Sequence, residues 1–103
     1  MPRTLRYAAA AIADLDAIRR WQMQPGAGAA SLRPLRRLRA AIQRLRQDPA
    51  RYPVGEHPGV REMPTESGHR VMYVVTPDTG HRAGAGDVVV LRVFGPGQSR
   101  TQL

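Results

Sequence analysis

The stretch SLRPLRRLRAAIQRLRQDP, residues 31–49, decides how the rest of the chain can be arranged. Its large aliphatic residues recur at intervals of three and four, at Leu32, Leu35, Leu38, Ile42 and Leu45. At about 100° per residue they span an arc of about 140°, and arginines occupy the opposite side. Ser31 can cap such a helix, and Asp48-Pro49 ends it. The stretch predicts an amphipathic helix whose apolar face must be covered by the rest of the chain.

The preceding segment predicts a second helix, from Ala8 to about Met23. Its apolar residues again fall on one side, at Ala8, Ala11, Ile12, Leu15 and Ile18. The sequence QPGAGAAS, residues 24–31, supplies the proline and glycines of a turn between the two helices. We therefore expect a helical hairpin over about residues 8–47, with both apolar stripes facing one core.

Four segments have the pattern of β-strands. RTLRY at residues 3–7 alternates, residues 60–63 are brief, and HRVMYVVT (69–76) and DVVVLRVF (87–94) are rich in β-branched residues. Between the last two, PDTGHRAGAGD is typical of a long, flexible hairpin tip. The order strand-helix-helix-strand-strand-strand predicts an α+β fold with the helical hairpin packed on one face of an antiparallel sheet.

Length and composition predict a single domain, residues 1–103, that is soluble and cytoplasmic. A chain of 103 residues with 42% hydrophobic residues supports one aliphatic core. It has no cysteine, which excludes disulfides and thiolate metal sites and fits a reducing compartment. Asp14 and Asp16 interrupt the alanine-rich start, so we read no signal peptide, and no stretch is apolar enough to span a membrane.

We expect no cofactor and no metal. His57, His69 and His81 lie in separate segments without the spacing of a zinc site. The glycines of the hairpin tip precede a strand and not a helix, so they form neither a P-loop nor a dinucleotide-binding fingerprint.

The protein carries a large excess of positive charge, and part of it is concentrated in one segment. The formal net charge is +8, and all 16 basic residues are arginines. Six of them lie between Arg33 and Arg46, and no acidic residue occurs from Ala17 to Gln47. Guanidinium groups match phosphate and carboxylate planes, so this face is either simply solvated or meets an acidic partner. Trp21, the only tryptophan, is interpreted as packed near the helix turn, with a partner anchor as the alternative.

These pieces together resemble the RelE/ParE superfamily of toxins from bacterial type II toxin-antitoxin modules. The resemblance rests on ADLDAI, LRRLRAAIQRLRQDPARYP, PGVREM, GHRVMYVV and VVVLRVF in this order, and it covers nearly the whole chain. It implies a toxin neutralised by a cognate antitoxin. It also implies one of two activities, since RelE-like members cleave mRNA on the ribosome and ParE-like members poison DNA gyrase.

The tail favours the ParE-like activity. Arg70 in GHRVMYVV matches an arginine that both groups keep. The ribonucleases usually add a tyrosine or histidine after the last strand, whereas GPGQSRTQL offers Gln98 and Arg100, as ParE-like members do, with a Pro96-Gly97 insertion. An arginine is a poor acid or base, so RNA cleavage would need His69 beside Arg70. We therefore expect a gyrase inhibitor without catalytic residues. The alternatives are an mRNA endonuclease that uses His69 and Arg70 at the ribosome, and a non-toxic antitoxin-binding module.

Three strand arginines, Arg61, Arg70 and Arg92, are candidates for a basic patch that binds an acidic antitoxin or a target phosphate. Arg92 lies among apolar residues, and alternation predicts that it shares a face with Val88, Val90 and Phe94. The simpler interpretation there is an ion pair with Glu62 or Glu66. The remaining candidates for contacts with the target or antitoxin lie elsewhere: Arg33, Arg37, Gln98 and Arg100.

Overall fold

The computed structural model describes residues 3–22, 32–98 and 103. Its elements in chain order are β1 (Leu5–Tyr7), α1 (Ala9–Gln22), α2 (Leu32–Gln43), a 3-10 turn (Arg44–Arg46), β2 (Arg61–Pro64), β3 (Arg70–Thr76) and β4 (Asp87–Phe94). The predicted order of elements is confirmed. The predicted turn at 24–31, with the Ser31 cap, lies outside the described residues.

The four strands form one sheet in the order β1-β4-β3-β2. β2 pairs with β3 and β3 with β4 in antiparallel fashion, but β1 runs parallel to β4, with Leu5 opposite Val88. The α+β class is confirmed, and the expectation of an entirely antiparallel sheet is wrong at this one pair. The reason is topological: the chain passes through both helices after β1, and the β2-β3-β4 meander then brings β4 back beside β1 in the same direction.

Both helices pack on one face of the sheet, as the apolar spacing predicted. The helical part of this core consists of Ala11, Leu15, Leu35, Leu38, Ile42 and Leu45, and strand residues such as Val71, Tyr73, Val88 and Val90 complete it. Ile12, predicted to join them, is 57% exposed. Ala11 takes the core position because it stands one turn before Leu15, and its small side chain lets α1 lie close to the sheet.

A bulge in β4 changes which face its last residues occupy. Met72 lies opposite Arg92 and Tyr73 opposite Val90, so Leu91 is an extra residue in β4. The alternation is inverted beyond it, because two residues of β4 oppose one position of β3. Arg92 therefore shares the second face of the sheet with Met72 instead of lying beside Val88 and Val90 as predicted.

The tip between β3 and β4 is tied to the rest of the fold. The Arg3 guanidinium donates to the carbonyl oxygens of Ala85 (2.9 Å) and Arg82 (2.6 Å), and also to that of Arg46 (2.8 Å) at the end of the 3-10 turn. Gly86 N donates to Pro77 O at 2.9 Å, and a Cβ on Gly86 would lie 2.0 Å from the Thr76 carbonyl oxygen. The segment predicted to be flexible is thus anchored at its base.

Within the described ranges, neither helix has the length and apolar character needed to cross a membrane.

Candidate functional site

Arg61 was predicted to bind a partner, but it is buried and connects two parts of the fold. It lies opposite Tyr73 on the face toward the helices and is 9% exposed. Its Nε and Nη2 donate to the two carboxylate oxygens of Asp78 at 2.8 and 2.9 Å, and its Nη1 donates to Tyr52 O at 2.6 Å. The hydrogen bond to Asp78 raises the pKa of Arg61 and holds the pKa of the Asp78 carboxyl below its usual range. The guanidinium joins β2 to the β3–β4 tip.

Tyr73 completes this buried network. Its side chain is fully buried, and its hydroxyl donates to Pro49 O at 2.7 Å. Burial raises the pKa of Tyr73 to about 12. This tyrosine is therefore protonated at neutral pH and closed to a substrate, so it supplies no acid–base chemistry.

Arg92 is paired with Asp14 of α1, and the predicted pairing with Glu62 or Glu66 is wrong. Its Nε and Nη2 donate to the Asp14 carboxylate at 2.7 and 3.0 Å, and the same carboxylate accepts the backbone N–H of Val93 at 2.9 Å. β1 ends before this level of β4, so the Val93 N–H has no strand partner on that side. Asp14 supplies the missing acceptor, and its hydrogen bond raises the pKa of Arg92.

Arg70 differs from the other two strand arginines. It opens β3, half-buried, opposite Phe94, and its guanidinium makes no ion pair or hydrogen bond with the residues that the structure describes. Arg61 points to the helix face and Arg92 is held by Asp14. The structure thus does not assemble the three arginines into one patch, and Arg70 is the one whose cation is available.

His69 is fixed in the turn before Arg70. Its Nδ1 lies 2.7 Å from Ser67 Oγ, and Thr65 Oγ1 donates to its carbonyl oxygen at 2.9 Å. Partial burial lowers the pKa of His69, so the imidazole is neutral at neutral pH. A neutral imidazole can accept a proton, but its hydrogen-bonding partner here is a serine and not the acid that would complete an acid–base pair.

The tail after β4 folds back onto this turn. Gln98 N donates to Gly95 O at 3.1 Å, and Gln98 Oε1 accepts the N–H of Gly95 at 2.6 Å. A Cβ on Gly68 would lie 3.1 Å from Pro96 Cγ, so the two turns are in contact. The Pro96-Gly97 pair carried a usable signal, since this dipeptide favours a turn with positive φ at the glycine, here +79°.

We call residues 65–70 together with residues 95–98 the turn–tail end. It brings His69, Arg70 and Gln98 to one end of the sheet, although the Gln98 side chain is occupied in its own turn. Arg100, predicted to act with Gln98, lies outside the described residues.

A groove of about 610 Å³ lies between α2 and β2. Its lining combines one arginine of α2, one arginine of the 3-10 turn, an apolar floor and the β2–β3 turn: Pro34, Arg37, Leu38, Ala40, Ala41, Arg44, Tyr52, Met63, Pro64, Thr65, Glu66 and Ser67. We call it the α2–β2 groove. Arg37 was a sequence candidate, whereas Met63 and Tyr52 were not, because nothing in the local pattern shows which helix flank faces the edge strand.

Two further features bear on binding. Trp21 is 69% exposed, so its interpretation as a packed residue is wrong. Among the residues described, no three His, Asp or Glu side chains come close enough to hold a metal ion.

Comparisons with known proteins agree with the fold and the sequence. The profile of the family described as "ParE toxin of type II toxin-antitoxin system, parDE" matches residues 5–98. A solved structure titled "Chromosomal ParDE TA system from P. aeruginosa" superposes with a TM-score of 0.73 at 20% identity, covering 91% of this chain and 96% of that one. A comparison with curated protein sequences gives no significant match.

Proposed function

Because this chain belongs to the ParE family of type II toxin-antitoxin toxins, we propose that it inhibits DNA gyrase by binding and does not cleave RNA. Membership makes the chain the toxin component of a module with a cognate antitoxin. The target, the mode of action and the cytoplasmic location are the proposal.

The observation that carries the proposal is the state of the three strand arginines. Two of them are neutralised by bidentate carboxylates, Arg61 by Asp78 and Arg92 by Asp14. Cleavage of RNA through its 2′-hydroxyl requires a proton acceptor, a proton donor and cations around one phosphate. Only Arg70 and a serine-bound His69 remain near one another, and this set lacks a second acid–base group.

Arg70 is suited to holding a partner. A guanidinium stays charged at all physiological pH values and can bind a carboxylate or phosphate through two parallel hydrogen bonds. The two turns of the turn–tail end around it are each closed by their own hydrogen bonds, which favours a defined position for Arg70. We therefore propose Arg70 as the main gyrase contact, with Gln98 and Arg100 as further contact residues.

The test is inhibition of DNA supercoiling by purified gyrase. The wild-type toxin should inhibit, and Arg70→Ala should weaken inhibition by about tenfold or more because a charge-assisted contact is lost. Arg36→Ala removes the same charge from an exposed position on α2 and is the matched control. Equal activity of wild type and Arg70→Ala would remove Arg70 from the interface.

Two other outcomes correspond to the alternative functions. Cleavage of mRNA at codons on translating ribosomes, abolished by His69→Ala, would establish the endonuclease. A folded protein that neither inhibits gyrase nor cleaves mRNA would be an antitoxin-binding module without toxicity.

A further inference from the structure

We propose that a group of arginines on the β1 side of the molecule binds the phosphate backbone of duplex DNA. We call Arg3, Arg39, Arg46 and Arg82 the β1-side arginines. The proposal goes beyond inhibition of gyrase, and it rests on the proposed function in one respect: DNA is chosen over RNA because the proposed target is an enzyme that acts on duplex DNA. Its supports are the position of these arginines, the hydrogen bonds that hold two of them, their lack of carboxylate partners and the polar surface around them.

Two of the β1-side arginines lie on the flank of α2 that faces away from the α2–β2 groove. Arg39 and Arg46 are seven residues apart in the sequence, which is about two helical turns, so they share one flank. Gln43 lies between them on this flank, and its Nε2 donates to Tyr7 Oη of β1 at 3.4 Å. Because β1 and β2 form opposite edges of the sheet, this flank and the groove are on opposite sides of the molecule.

Arg3 connects the 3-10 turn to the β3–β4 tip on the same side. Its Nη1 donates to Arg46 O at 2.8 Å, and its Nη2 donates to Arg82 O at 2.6 Å. Arg46 Nε donates in return to Arg3 O at 3.0 Å, and its two terminal nitrogens make no hydrogen bond within the described part of the chain. The exposed side chains of Arg46 and Arg82 therefore start from neighbouring points of the backbone, and the Arg46 guanidinium is partly fixed before a ligand binds.

The positive charge of the β1-side arginines is not cancelled by carboxylates. None of the four makes an ion pair with a described residue. The Arg3 guanidinium is held by carbonyl oxygens, which carry no net charge. Asp87 lies on the same edge, where its carboxylate accepts the backbone N–H of Thr4 at 2.8 Å and pairs with none of these arginines. A ligand with several negative charges would therefore lower the electrostatic repulsion among the β1-side arginines.

The surface around these arginines favours a nucleic acid over a protein partner. In the described part of the chain, the exposed large hydrophobic residues are Ile12, Trp21, Val54 and Leu103, and none of them belongs to β1, α2, the 3-10 turn or the tip. A protein interface usually has an apolar centre, whereas DNA phosphates are bound mainly by exposed cations. Guanidinium groups also match phosphate oxygens through two parallel hydrogen bonds.

The spacing of the arginines fits one strand of a DNA duplex. Arg39 and Arg46 are separated by about 10 Å along the helix axis at about 1.5 Å per residue. One strand of B-DNA has a phosphate about every 3.4 Å along the duplex axis, so the two arginines span about three phosphates. Arg82 adds a third cation next to Arg46. We therefore expect about three phosphate contacts, with Arg3 holding two of the contributing segments together.

The β1-side arginines and the proposed gyrase contact do not overlap. β3 begins at Arg70 and ends at Thr76, so the tip with Arg82 lies at the other end of this strand. Seven residues of β-strand extend over about 20 Å. A toxin bound to gyrase through Arg70 therefore leaves the β1-side arginines free to hold DNA.

The test measures binding of the purified toxin to a short fluorescent DNA duplex by anisotropy, without gyrase. Arg39→Glu/Arg46→Glu alters the β1-side arginines, and Arg37→Glu/Arg44→Glu makes the same change of charge on the groove flank at the same sequence spacing. Arg39→Glu/Arg82→Glu keeps the side-chain hydrogen bond of Arg46, so it tests the same surface if the first variant does not fold. Thermal unfolding shows which variants are folded.

The wild-type toxin should bind duplexes of unrelated sequence with similar dissociation constants. The logarithm of its binding constant should fall with the logarithm of the salt concentration with a slope of about −2.7, as expected for about three phosphate contacts. Each β1-side variant should weaken DNA binding at least about tenfold more than the groove-flank pair does, and it should flatten the salt slope. Because DNA affinity is measured without gyrase, a toxin that does not inhibit gyrase would contradict the proposed function and leave this test intact.

Four results would overturn the inference. The first is a wild-type toxin that does not bind DNA at about 0.05 M salt. The second is equal weakening by variants of the two flanks, which would indicate diffuse attraction between a basic protein and DNA. Tighter binding to an RNA duplex of the same length would assign the surface to RNA. Poly-glutamate that competes as well as unlabelled DNA at equal charge would assign it to an acidic protein.

Discussion

Arginines of this protein have three different roles that their chemistry alone does not distinguish. Arg61 is buried with a carboxylate and two loop carbonyls, Arg3 is satisfied mainly by backbone carbonyl oxygens, and Arg37 is exposed on a groove rim. The buried cation depends on its partner, because a charge taken out of water is tolerated only when it is paired and hydrogen-bonded.

Asp78→Asn should destabilise the protein by about 3 kcal/mol, at the lower end of the range for breaking a buried pair because the Asp78 side chain keeps 25% exposure. Asp16→Asn, which breaks an exposed pair, is the control and should cost less than about 1 kcal/mol. Urea unfolding measures both. The folded-state pKa of Asp78 is lowered, so its stabilisation is present above the unfolded pKa of about 3.9 and is lost as pH falls through the folded value. An equal cost for the two variants would contradict the buried-tie interpretation of Arg61.

The raised pKa of Tyr73 predicts that the folding stability of the protein falls at alkaline pH. Its pKa is raised from the ordinary 10.0 to about 12, so the folded state holds the proton more tightly than the unfolded state. The stabilisation of the folded state that comes from this pKa difference is fully present below pH about 10 and is lost as the pH rises toward about 12. Tyr73→Phe should flatten this part of the stability curve and cost about 1 to 2 kcal/mol at pH 7, because Pro49 O loses its donor. A pH series of denaturant unfolding tests this, and an unchanged alkaline slope would be the contrary result.

At the scale of elements, α2 and β4 make the contacts that connect the helices to the sheet. The apolar stripe of α2 covers the sheet while its two flanks stay charged, and the bulge at Leu91 turns Arg92 toward the edge where Asp14 can reach it. One inserted residue thereby joins α1 to the free edge of β4 and closes that edge to strand pairing with other chains.

Truncating the α2 stripe should destabilise the fold. Leu38 and Ile42 are 3% and 0% exposed, and Leu38→Ala or Ile42→Ala should each cost about 2 to 5 kcal/mol through lost burial and a residual cavity. Arg36→Ala on the exposed flank should change stability by less than about 0.5 kcal/mol. Thermal and urea unfolding measure the series, and wild-type stability of both core variants would refute the packing of α2 on the sheet.

At the scale of the whole molecule, paired charges and the unpaired arginines of α2 lie on different elements of the described chain. The ion pairs of the described residues lie on α1, the sheet and the β3–β4 tip, and the α2 flanks carry arginines without carboxylates. With a net charge of +8 and this distribution, we expect the positive potential to be strongest around α2 and to attract an acidic partner there.

Antitoxin affinity should accordingly fall as salt is added. The Debye length shortens from about 10 Å at 0.1 M to about 3 Å at 1 M, so exposed arginine contacts weaken while apolar contacts persist. Calorimetric titration from 0.05 to about 0.5 M salt should show the dissociation constant rising and then levelling off. A dissociation constant independent of salt would exclude an electrostatic share in binding.

Local patterns were sufficient for the order of elements, the α+β class, the core positions of α2 and the family. Each of these depends on periodicity or turn chemistry within short segments, so residues that are close together in the sequence are enough to predict it. The parallel β1–β4 pair and the exposure of Ile12 and Trp21 were missed, because they depend on how elements meet in space.

For the candidate site, too, some features follow from the sequence and others only from the tertiary structure. From the sequence alone, Arg70 and Gln98 were candidates through the family resemblance, His69 as the titratable neighbour of Arg70, and the α2 arginines through their unbalanced charge. These assignments stay predictions. Only the tertiary structure decided that Arg61 belongs to Asp78 and Arg92 to Asp14, since the partners are 17 and 78 residues apart. An ion pair forms where two charges are brought within reach, and that distance is set by the bulge, the tip and the helix packing and not by either residue's neighbours in the chain.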